Sequence, residues 1–344
     1  MKVPETPELD AFYRRIAPAN LAPLWQVFSR LITRTPTSDC QPALWRYADL
    51  RPLLMEAGGL ISAKQAERRV LVLENPGLRD QAKITTSLYA GLQLVLPGEV
   101  APAHRHSQSA LRFILEGAGA YTSVDGEKTL MNVGDFVLTP SWAWHDHGND
   151  SAQPMIWLDG LDVPLVQALD ASFFEPYGED AYPVTRGQGD SLARFGSGLL
   201  PVDFEAKSPA SPVLNYPYAR SLEALDQLRR ADDWDACHGI KLTYVNPVTG
   251  GPPMPTIAAF LQLLPQGFAG EPYRATDATV FSVVDGTGTI ELGETRLAWG
   301  PKDTFVVPSW RQYRLLAESE AVLFSFSDRP VHKALGLWRE HRGA

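Results

Sequence analysis

Three blocks of the sequence recur later in the same order, and this repeat constrains the fold more than any other feature. The paired blocks are 92–98 with 261–267, 114–119 with 283–288 and, with a one-residue slip, 134–142 with 302–310. The first pair has an offset of 169 residues and needs no gap, so chance is a poor explanation. The repeat indicates that the chain contains two copies of one structural unit.

Each copy consists of short apolar segments with the length and boundaries of β-strands. From Arg69 onward, runs such as 92–96 and 111–115 are bounded by Gly, Pro or Asp-Gly, at a spacing near ten residues. This spacing is typical of antiparallel sandwiches and jelly rolls. Apolar residues before Arg69 instead recur every three or four positions, which predicts short helices separated by prolines. We therefore predict an all-β fold of two duplicated β-barrels or jelly rolls, with a helical N-terminal segment.

The predicted organisation has five parts. The segment between the barrels is rich in Pro, Gly, Ser and Asp and contains one predicted helix, 221–231, with Ser221 as its N-cap. The tail predicts a short surface helix. The five parts are a helical segment (1–65), a first barrel with the candidate site (66–170), a linker that wraps around the barrels (171–255), a second barrel (256–330) and a tail (331–344).

Composition excludes several classes of partner. The formal net charge of −9 disfavours nucleic acid, because phosphates need a basic surface. The apolar runs are too short to span a membrane, and no export signal is visible at the N-terminus. Cys40 and Cys237 are isolated, so neither a disulfide nor a thiolate metal site is expected. A cytoplasmic protein follows, and an anionic substrate would need local arginines.

Three histidines form a candidate metal site. His104 and His106 are two residues apart in a predicted strand, so both imidazoles leave the same face. His145 follows after a Gly-Asp turn and a proline. Neutral imidazoles suit iron, copper and zinc, whereas carboxylates favour harder ions. The equivalent positions of the second copy are Tyr273, Ala275 and Tyr313. We therefore expect one metal ion per chain.

Two segments resemble the cupin motifs. Gly98-x5-His104-x-His106-x10-Gly117 is similar to the first, and Gly134-x5-Pro140-x4-His145-x3-Asn149 to the second. The glutamate usual in the first motif is Ala110, and the glycine usual in the second is Trp142. A site of three histidines without a carboxylate points away from decarboxylases and toward dioxygenases that open aromatic rings.

Longer stretches resemble gentisate 1,2-dioxygenases, with salicylate and 1-hydroxy-2-naphthoate dioxygenases as near relatives. The resemblance covers nearly the whole chain and is carried by 67–77, 86–93, 104–113, 145–150 and 157–162. It implies a duplicated cupin that holds one Fe(II) per chain and is commonly a homotetramer. It also implies a small aromatic hydroxy acid as substrate: gentisate would be opened to maleylpyruvate, with O2 as co-substrate.

The resemblance also implies roles for individual residues. Counting from His106 along one predicted strand places Arg112 on the ligand face, and the resemblance implies that Arg112 contacts the substrate. It also implies that Arg68, rather than Arg69, binds the carboxylate of the substrate. His147 and Asp159 correspond to the pair that orients the substrate hydroxyl or accepts its proton. The remaining predicted contacts are Gln93, Tyr89 and Gly91.

Each role has a simpler structural alternative. His147 could lie in a surface loop, Asp159 could cap a turn, and Arg68 could form a surface ion pair. Gln93 recurs as Gln262, so it could make a hydrogen bond that is common to both barrels. These alternatives predict different environments for the same side chains.

Three other functions share parts of this pattern. A salicylate or 1-hydroxy-2-naphthoate dioxygenase would carry the same ligands, although the polar Tyr89 near the ring favours gentisate. A metal-dependent isomerase would share the histidines but not Arg112 together with His147 and Asp159. A non-catalytic cupin, such as a ligand-binding regulator, is disfavoured by the acidic charge and by the lack of a DNA-binding module before the barrels.

Overall fold

The computed structural model describes residues 5–231 and 234–343. Residues 1–37 and 38–344 form separate compact units. The first contains helices α1 (Pro7–Ile16) and α2 (Leu24–Leu31), with a 3-10 turn at Ala17–Ala19 between them. Thr6 Oγ1 caps α1 by accepting from the backbone N–H of Leu9 at 3.3 Å. In the described ranges no helix is long and apolar enough to cross a membrane.

The second unit holds the predicted barrels. Its helices are α3 (Tyr47–Leu60), α4 (Val163–Ala168), α5 (Asp190–Phe195), α6 (Tyr218–Arg229) and α7 (Arg329–Ala334). The strands up to the end of the first barrel are β1 (Ala43–Trp45), β2 (Val70–Val72), β3 (Tyr89–Val95), β4 (Val100–His106), β5 (Ala110–Glu116), β6 (Ala120–Val124), β7 (Glu127–Leu130), β8 (Phe136–Thr139), β9 (His145–Asn149) and β10 (Met155–Leu161). The later strands are β11 (Phe174–Pro176), β12 (Asn215–Tyr216), β13 (Ile240–Thr243), β14 (Ala258–Leu264), β15 (Tyr273–Ala275), β16 (Thr279–Asp285), β17 (Gly288–Leu292), β18 (Thr295–Trp299), β19 (Thr304–Val307), β20 (Arg314–Ala317), β21 (Ala321–Ser327) and β22 (Glu340–Arg342).

The strands form two equivalent jelly rolls. The first has a sheet in the order β12-β8-β5-β10-β3-β2 and a second sheet in the order β11-β4-β9-β6-β7. The second has the matching order β1-β19-β16-β21-β14-β13, with β18-β17-β20 and the pair β15-β22 opposite. The predicted fold class, a duplicated β-barrel after N-terminal helices, is confirmed.

The two barrels share one apolar core. Because side chains alternate along a strand, each six-stranded sheet presents one face to its own barrel and the other to the second barrel. Phe113 of β5 stacks on Phe324 of β21 with ring centroids 4.1 Å apart, and Leu92 and Leu261 are buried in the same cluster. The opposite face of β3, β5 and β10 is thereby left for the interior of the first barrel, where the candidate site lies.

The repeat extends beyond the blocks visible in the sequence, because each copy begins with a strand and a helix that join the other barrel. Strand β1 pairs with β19, and β12 pairs with β8. The backbone N–H of Tyr47 at the start of α3 donates to Asp303 Oδ1, and that of Tyr218 at the start of α6 donates to Asp135 Oδ1, both at 2.9 Å. This reciprocal exchange ties the barrels together.

Two local predictions were wrong. Helix α6 begins at Tyr218 after Pro217, and the Ser221 hydroxyl donates back to the Pro217 carbonyl at 3.3 Å instead of capping the helix. The predicted tail helix is also absent from its described part. There α7 ends at Ala334, and β22 pairs with β15.

Glu116 ties α3 to the first barrel and makes stability depend on pH. Arg51 Nη2 donates to its carboxylate at 2.7 Å and the Tyr47 hydroxyl at 2.8 Å. These contacts, with Arg51 foremost, lower the pKa of Glu116. The stabilisation from these contacts is therefore complete above the ordinary glutamate pKa, near 4.3, and is lost as pH falls through the lowered value.

We expect Glu116→Gln to lower the free energy of unfolding by about 1 kcal/mol at pH 7 and to flatten the loss of stability between pH ~5 and ~3. Urea unfolding over this range tests it, with exposed Glu294→Gln as the control.

Candidate metal centre and active site

The three predicted ligands converge inside the first barrel. Strands β4 and β9 pair antiparallel, with His104 opposite His145. The ring centroids are 5.4 Å apart for His104 and His106, 4.4 Å for His104 and His145, and 4.8 Å for His106 and His145. One nitrogen from each ring lies within 4.8 Å of the other two, close enough to share one ion. Among the described residues this is the one such group with three or more potential ligands.

Backbone carbonyls orient the three imidazoles. The Nδ1 atoms of His104, His106 and His145 lie 3.2, 2.9 and 3.0 Å from the carbonyl oxygens of Pro102, Gln108 and Ala143, respectively. In His106 and His145 a proton on Nδ1 is shared with the carbonyl, which leaves the Nε2 lone pair for a metal ion. The Nδ1 atom of His104 also lies 2.8 Å from Nη2 of Arg68, whose guanidinium can only donate, so the contacts of His104 do not assign its proton to Nδ1. Burial lowers the pKa of His104 to about 2 and of His106 to about 4, and lowers that of His145 as well. The rings are therefore neutral, as metal coordination requires.

The donor set fits a divalent transition metal. Ala110, where a glutamate ligand was expected from the general cupin motif, is a buried residue of β5. Three neutral nitrogens without a carboxylate suit iron, copper or zinc better than magnesium or calcium. In the second barrel Tyr273, Ala275 and Tyr313 are buried at the equivalent positions.

Arg112 organises the polar interior beside the histidines. It lies on β5 and not on β4, so the prediction that it shares a strand with His106 was wrong, although it does face the interior. Its Nη1 donates to Thr139 Oγ1 at 2.7 Å and its Nη2 to His147 Nε2 at 3.0 Å. Its Nε lies 3.8 Å from Asp159 Oδ1. Burial lowers the pKa of Arg112 to about 10, which still leaves it charged at neutral pH.

The contact with Arg112 determines the tautomer of His147. A guanidinium only donates hydrogen bonds, so His147 Nε2 accepts and its proton resides on Nδ1. Nδ1 then donates to Thr122 Oγ1 at 3.0 Å, and the Thr122 hydroxyl donates to Met131 Sδ at 3.3 Å. Burial and the positive charge of Arg112 lower the pKa of His147, so the ring is neutral. His147 is fully buried in β9 and does not lie in a surface loop.

Asp159 is connected to His147 through Arg112. It lies in the middle of β10, opposite Arg112 on one side and Gly91 on the other, so it is not a turn cap. Its Oδ1 accepts from Trp157 Nε1 at 2.9 Å. Burial raises the pKa of Asp159 to about 6, and the charge of Arg112 opposes that rise. The carboxylate is consequently ionised for the most part at pH 7.

The adjacent arginines Arg68 and Arg69 point to different places. Arg68 Nη2 lies 2.8 Å from His104 Nδ1 and donates to the Pro102 carbonyl at 3.1 Å. Burial, followed by the charge of Arg112, lowers the pKa of Arg68 to about 9. Arg69 instead forms an ion pair with Glu99. Arg68 therefore brings a second positive charge to the candidate centre.

Strand β3 supplies the other predicted contacts. Gln93 is buried opposite Trp157, and its side-chain Nε2 has no hydrogen-bond partner in the described parts of the chain. Its repeat counterpart, Gln262, donates to the His238 carbonyl at 2.5 Å. The two glutamines therefore do not make the same hydrogen bond, and the Gln93 amide is left without a structural partner among the described residues.

Gly91 leaves space that a side chain would fill. A Cβ atom there would lie 2.4 Å from Val70 Cγ1 and 3.0 Å from the Tyr89 hydroxyl oxygen. We expect Gly91→Ala to lower the free energy of unfolding by about 1–3 kcal/mol through overpacking, and to displace Tyr89. The matched control is Gly59→Ala in α3, where a Cβ meets no atom within 4 Å. Urea unfolding should show no loss of stability there, and an equal loss in both variants would contradict this account.

The sequence did not reveal several residues around the site. Thr122 and Thr139 hold His147 and Arg112, respectively. Phe174, in the predicted linker, lies on β11 opposite His106, and its ring centroid is 5.1 Å from that of His104. No periodicity marks these positions, because each depends on strand pairing. Trp157 could have been found, since it begins one of the stretches that carry the family resemblance.

Comparisons with known proteins agree with this geometry. A cupin-domain family model matches residues 91–162. The chain is 58% identical to gentisate 1,2 dioxygenase 1 of Aquipseudomonas alcaligenes, over 98% of this chain and 97% of that protein. It is 40% identical to 5-aminosalicylate 1,2-dioxygenase of a Comamonas species, over 97% and 90% of the two chains.

A solved structure shows the same architecture throughout. Salicylate 1,2-dioxygenase from Pseudoaminobacter salicylatoxidans, determined as an adduct with gentisate, superposes with a TM-score of 0.93 at 36% identity. The match covers 99% of this chain and 96% of that chain. With a duplicated cupin fold, a three-histidine centre and identity along nearly its full length, the chain belongs to the family of ring-cleaving dioxygenases that includes gentisate 1,2-dioxygenase.

Proposed function

We propose that this protein is an Fe(II)-dependent gentisate 1,2-dioxygenase. It opens the ring of 2,5-dihydroxybenzoate between the carboxyl-bearing and the adjacent hydroxyl-bearing carbon, with O2 as co-substrate, and forms maleylpyruvate. The observation that carries this proposal is the 58% identity, along nearly the whole chain, to a gentisate dioxygenase. The three-histidine centre beside one buried and one partly buried guanidinium group supports it independently.

His104, His106 and His145 would hold one Fe(II) per chain. When bound, the ion supplies open coordination positions for substrate and O2, together with the redox chemistry that their reaction needs. The chain itself contributes neutral, pre-oriented imidazoles. The second barrel would bind no metal, because tyrosine and alanine replace all three ligands there.

Two arginines would recruit the negatively charged substrate. The chain is acidic overall, so a carboxylate needs a local positive charge. Arg68 lies against His104, and it would bind the carboxylate with its paired N–H groups in exchange for their hydrogen bonds to the Glu67 and Pro102 carbonyls. Arg112, whose Nη atoms donate to Thr139 and His147, contributes its charge and its Nε, which makes no hydrogen bond to a described residue and lies 3.8 Å from Asp159 Oδ1. Gln93, Tyr89 and Gly91 would contact the ring.

His147 and Asp159 would manage the proton of the substrate hydroxyl. The Asp159 carboxylate is a proton acceptor beside Arg112, and His147 Nε2 can become one if it exchanges its hydrogen bond from Arg112 for one from the substrate. A hydroxyl that approaches Arg112 can therefore donate to either group, which orients the substrate and favours its phenolate form.

Oxygen uptake with a panel of aromatic hydroxy acids tests the function. We expect kcat/KM to be highest for gentisate and lower for salicylate and 1-hydroxy-2-naphthoate, since the second hydroxyl of gentisate activates the ring and can contact Tyr89. A preference for salicylate or hydroxynaphthoate would assign the chain to one of those relatives. No uptake with any of the three by the iron-loaded protein would indicate a non-oxygenase cupin.

We further propose that the chain acts in the cytoplasm and assembles as a homotetramer. We also propose that each chain is divided into the five parts predicted from its sequence, at 1–65, 66–170, 171–255, 256–330 and 331–344. Helix α2 supports association between subunits because Leu24, Trp25, Phe28 and Leu31 are all exposed on it. Light scattering coupled to gel filtration should give four times the chain mass of 37.9 kDa. A monomeric mass would contradict the proposed assembly.

A further inference from the structure

The second barrel contains a cavity at the end that corresponds to the metal centre of the first. Its volume is about 660 Å³, within the range of small-molecule sites. Tyr273, which stands at the repeat position of His104, is part of its wall. Strand β22 pairs with β15 beside this cavity as β11 pairs with β4 beside the histidines. The loss of the metal ligands has therefore not filled this end of the barrel.

Positive side chains predominate in the cavity wall, although the chain is acidic. The charged lining residues are four basic and two acidic ones: Lys241, Arg329, Lys333 and Arg342, with Asp235 and Glu340. Two of the basic groups are neutralised, because Arg329 pairs with Asp277 at 3.1 Å and Arg342 with Asp235 at 2.5 Å. Within residues 5–231 and 234–343, neither Lys241 nor Lys333 forms an ion pair.

Lys241 is the central group. Its Nζ lies 4.8 Å from the ring centroid of Phe260 and 5.5 Å from that of Phe281, and it makes no hydrogen bond to a described residue. Burial, followed by the charge of Arg329, lowers the pKa of Lys241 to about 7. Lys241 lies opposite Gln262, just as Val70 lies opposite Gln93 in the first copy. The second copy therefore carries a lysine that forms no ion pair with a described residue, where the first carries an apolar side chain.

A buried histidine in the wall also has a ring nitrogen without a partner among the described residues. His238 is 7% exposed and lines the cavity. Its Nδ1 has no hydrogen-bond partner in the described parts of the chain. A buried polar atom without a partner costs stability unless a ligand or water satisfies it.

The remainder of the wall is apolar and partly aromatic. Phe260 and Tyr273 contribute rings, while Ala258 and Pro330 contribute aliphatic surface. A ligand that matches this wall has an anionic group for Lys241 and a flat apolar body. We propose that the second barrel binds a small aromatic carboxylate through Lys241, at a site separate from the metal centre.

A brominated acid can locate the site directly. Crystals of the iron-loaded protein soaked with 4-bromobenzoate should show an anomalous bromine peak in the second barrel, whether or not the first barrel also binds the probe. Lys241→Met should remove that peak, because the ion-pairing group is lost. Absence of the peak from the wild-type protein, or its persistence at equal height in Lys241→Met, would overturn the proposal.

Calorimetry tests the same site in solution. Titration with 4-bromobenzoate should show a binding event in the wild-type protein that weakens by about tenfold or more in Lys241→Met. The matched control is Lys64→Met, which removes an exposed lysine paired with Asp180 outside the cavity. Identical isotherms for wild type and Lys241→Met, or an equal weakening in Lys64→Met, would contradict a specific role for Lys241.

Two further measurements separate this proposal from others. Lys241→Met should unfold at an unchanged or higher urea concentration, because the substitution removes a partly buried amino group that forms no ion pair with a described residue. Its oxygen uptake with gentisate at low concentration should match that of the wild type, so the second site can fail while the proposed dioxygenase activity holds. A Lys241→Met protein that loses both fold and binding would show that the lysine is structural.

Discussion

His145→Ala is expected to lose bound iron and oxygen uptake together. His145 is 1% exposed and shares its candidate ion with only two other ligands. Alanine leaves two imidazoles on β4, and two neutral nitrogens cannot retain the ion against solvent and buffer. Because the reaction depends on the metal, turnover should fall by at least about a thousandfold, or about 4 kcal/mol.

Metal analysis and an oxygen electrode should be applied to the same His145→Ala preparation. His341→Ala is the control, because His341 is exposed on β22 and lies outside the three-histidine group. It should keep both iron and activity. Full iron occupancy in His145→Ala would remove His145 from the ligand set and with it the proposed centre.

Arg112→Ala is expected to keep iron while losing most of its turnover. The guanidinium touches none of the ligand nitrogens in the contacts described, but it holds His147 and faces Asp159. Its removal takes away a positive charge for the substrate and the donor that fixes the position of His147. We expect kcat/KM with gentisate to fall by about 2–4 kcal/mol, which is roughly 30- to 1000-fold.

Lysine at position 112 should restore only part of this loss. An ammonium supplies the charge but cannot reach Thr139, His147 and Asp159 together as the planar guanidinium does. Arg296→Ala is the control, since Arg296 forms an exposed ion pair with Glu291 in the second barrel. Normal kcat/KM in Arg112→Ala would show that the arginine serves only the structure.

The metal ligands were predictable because their spacing is local. His104 and His106 need only strand alternation to share a face, and the turn before His145 limits where that histidine can lie. The isolated cysteines were equally predictable, and Cys40 and Cys237 are both free and buried. The repeat likewise predicted two barrels, because the recurring blocks are long enough to be recognised in the sequence.

Features that depend on tertiary pairing were not predictable. The exchanged strands β1 and β12 contain three and two residues, too few to show periodicity. Arg112 was assigned correctly to the interior for a wrong reason, because the strand breaks between His106 and Ala110. Its direction is set by pairing with β10 and β8. The link from His147 to Asp159 through Arg112 joins three strands that no sequence spacing relates.

Isotope labelling during turnover tests the central claim most directly. The iron-loaded protein is mixed with gentisate under ¹⁸O2, and the ring-opened product is analysed by mass spectrometry together with the oxygen consumed. A ring-cleaving dioxygenase must use one O2 per gentisate and place both labelled atoms in maleylpyruvate, allowing for exchange of carbonyl oxygen with water. A product that contains one labelled atom after correction for that exchange, or gentisate consumption without oxygen uptake, would contradict the account.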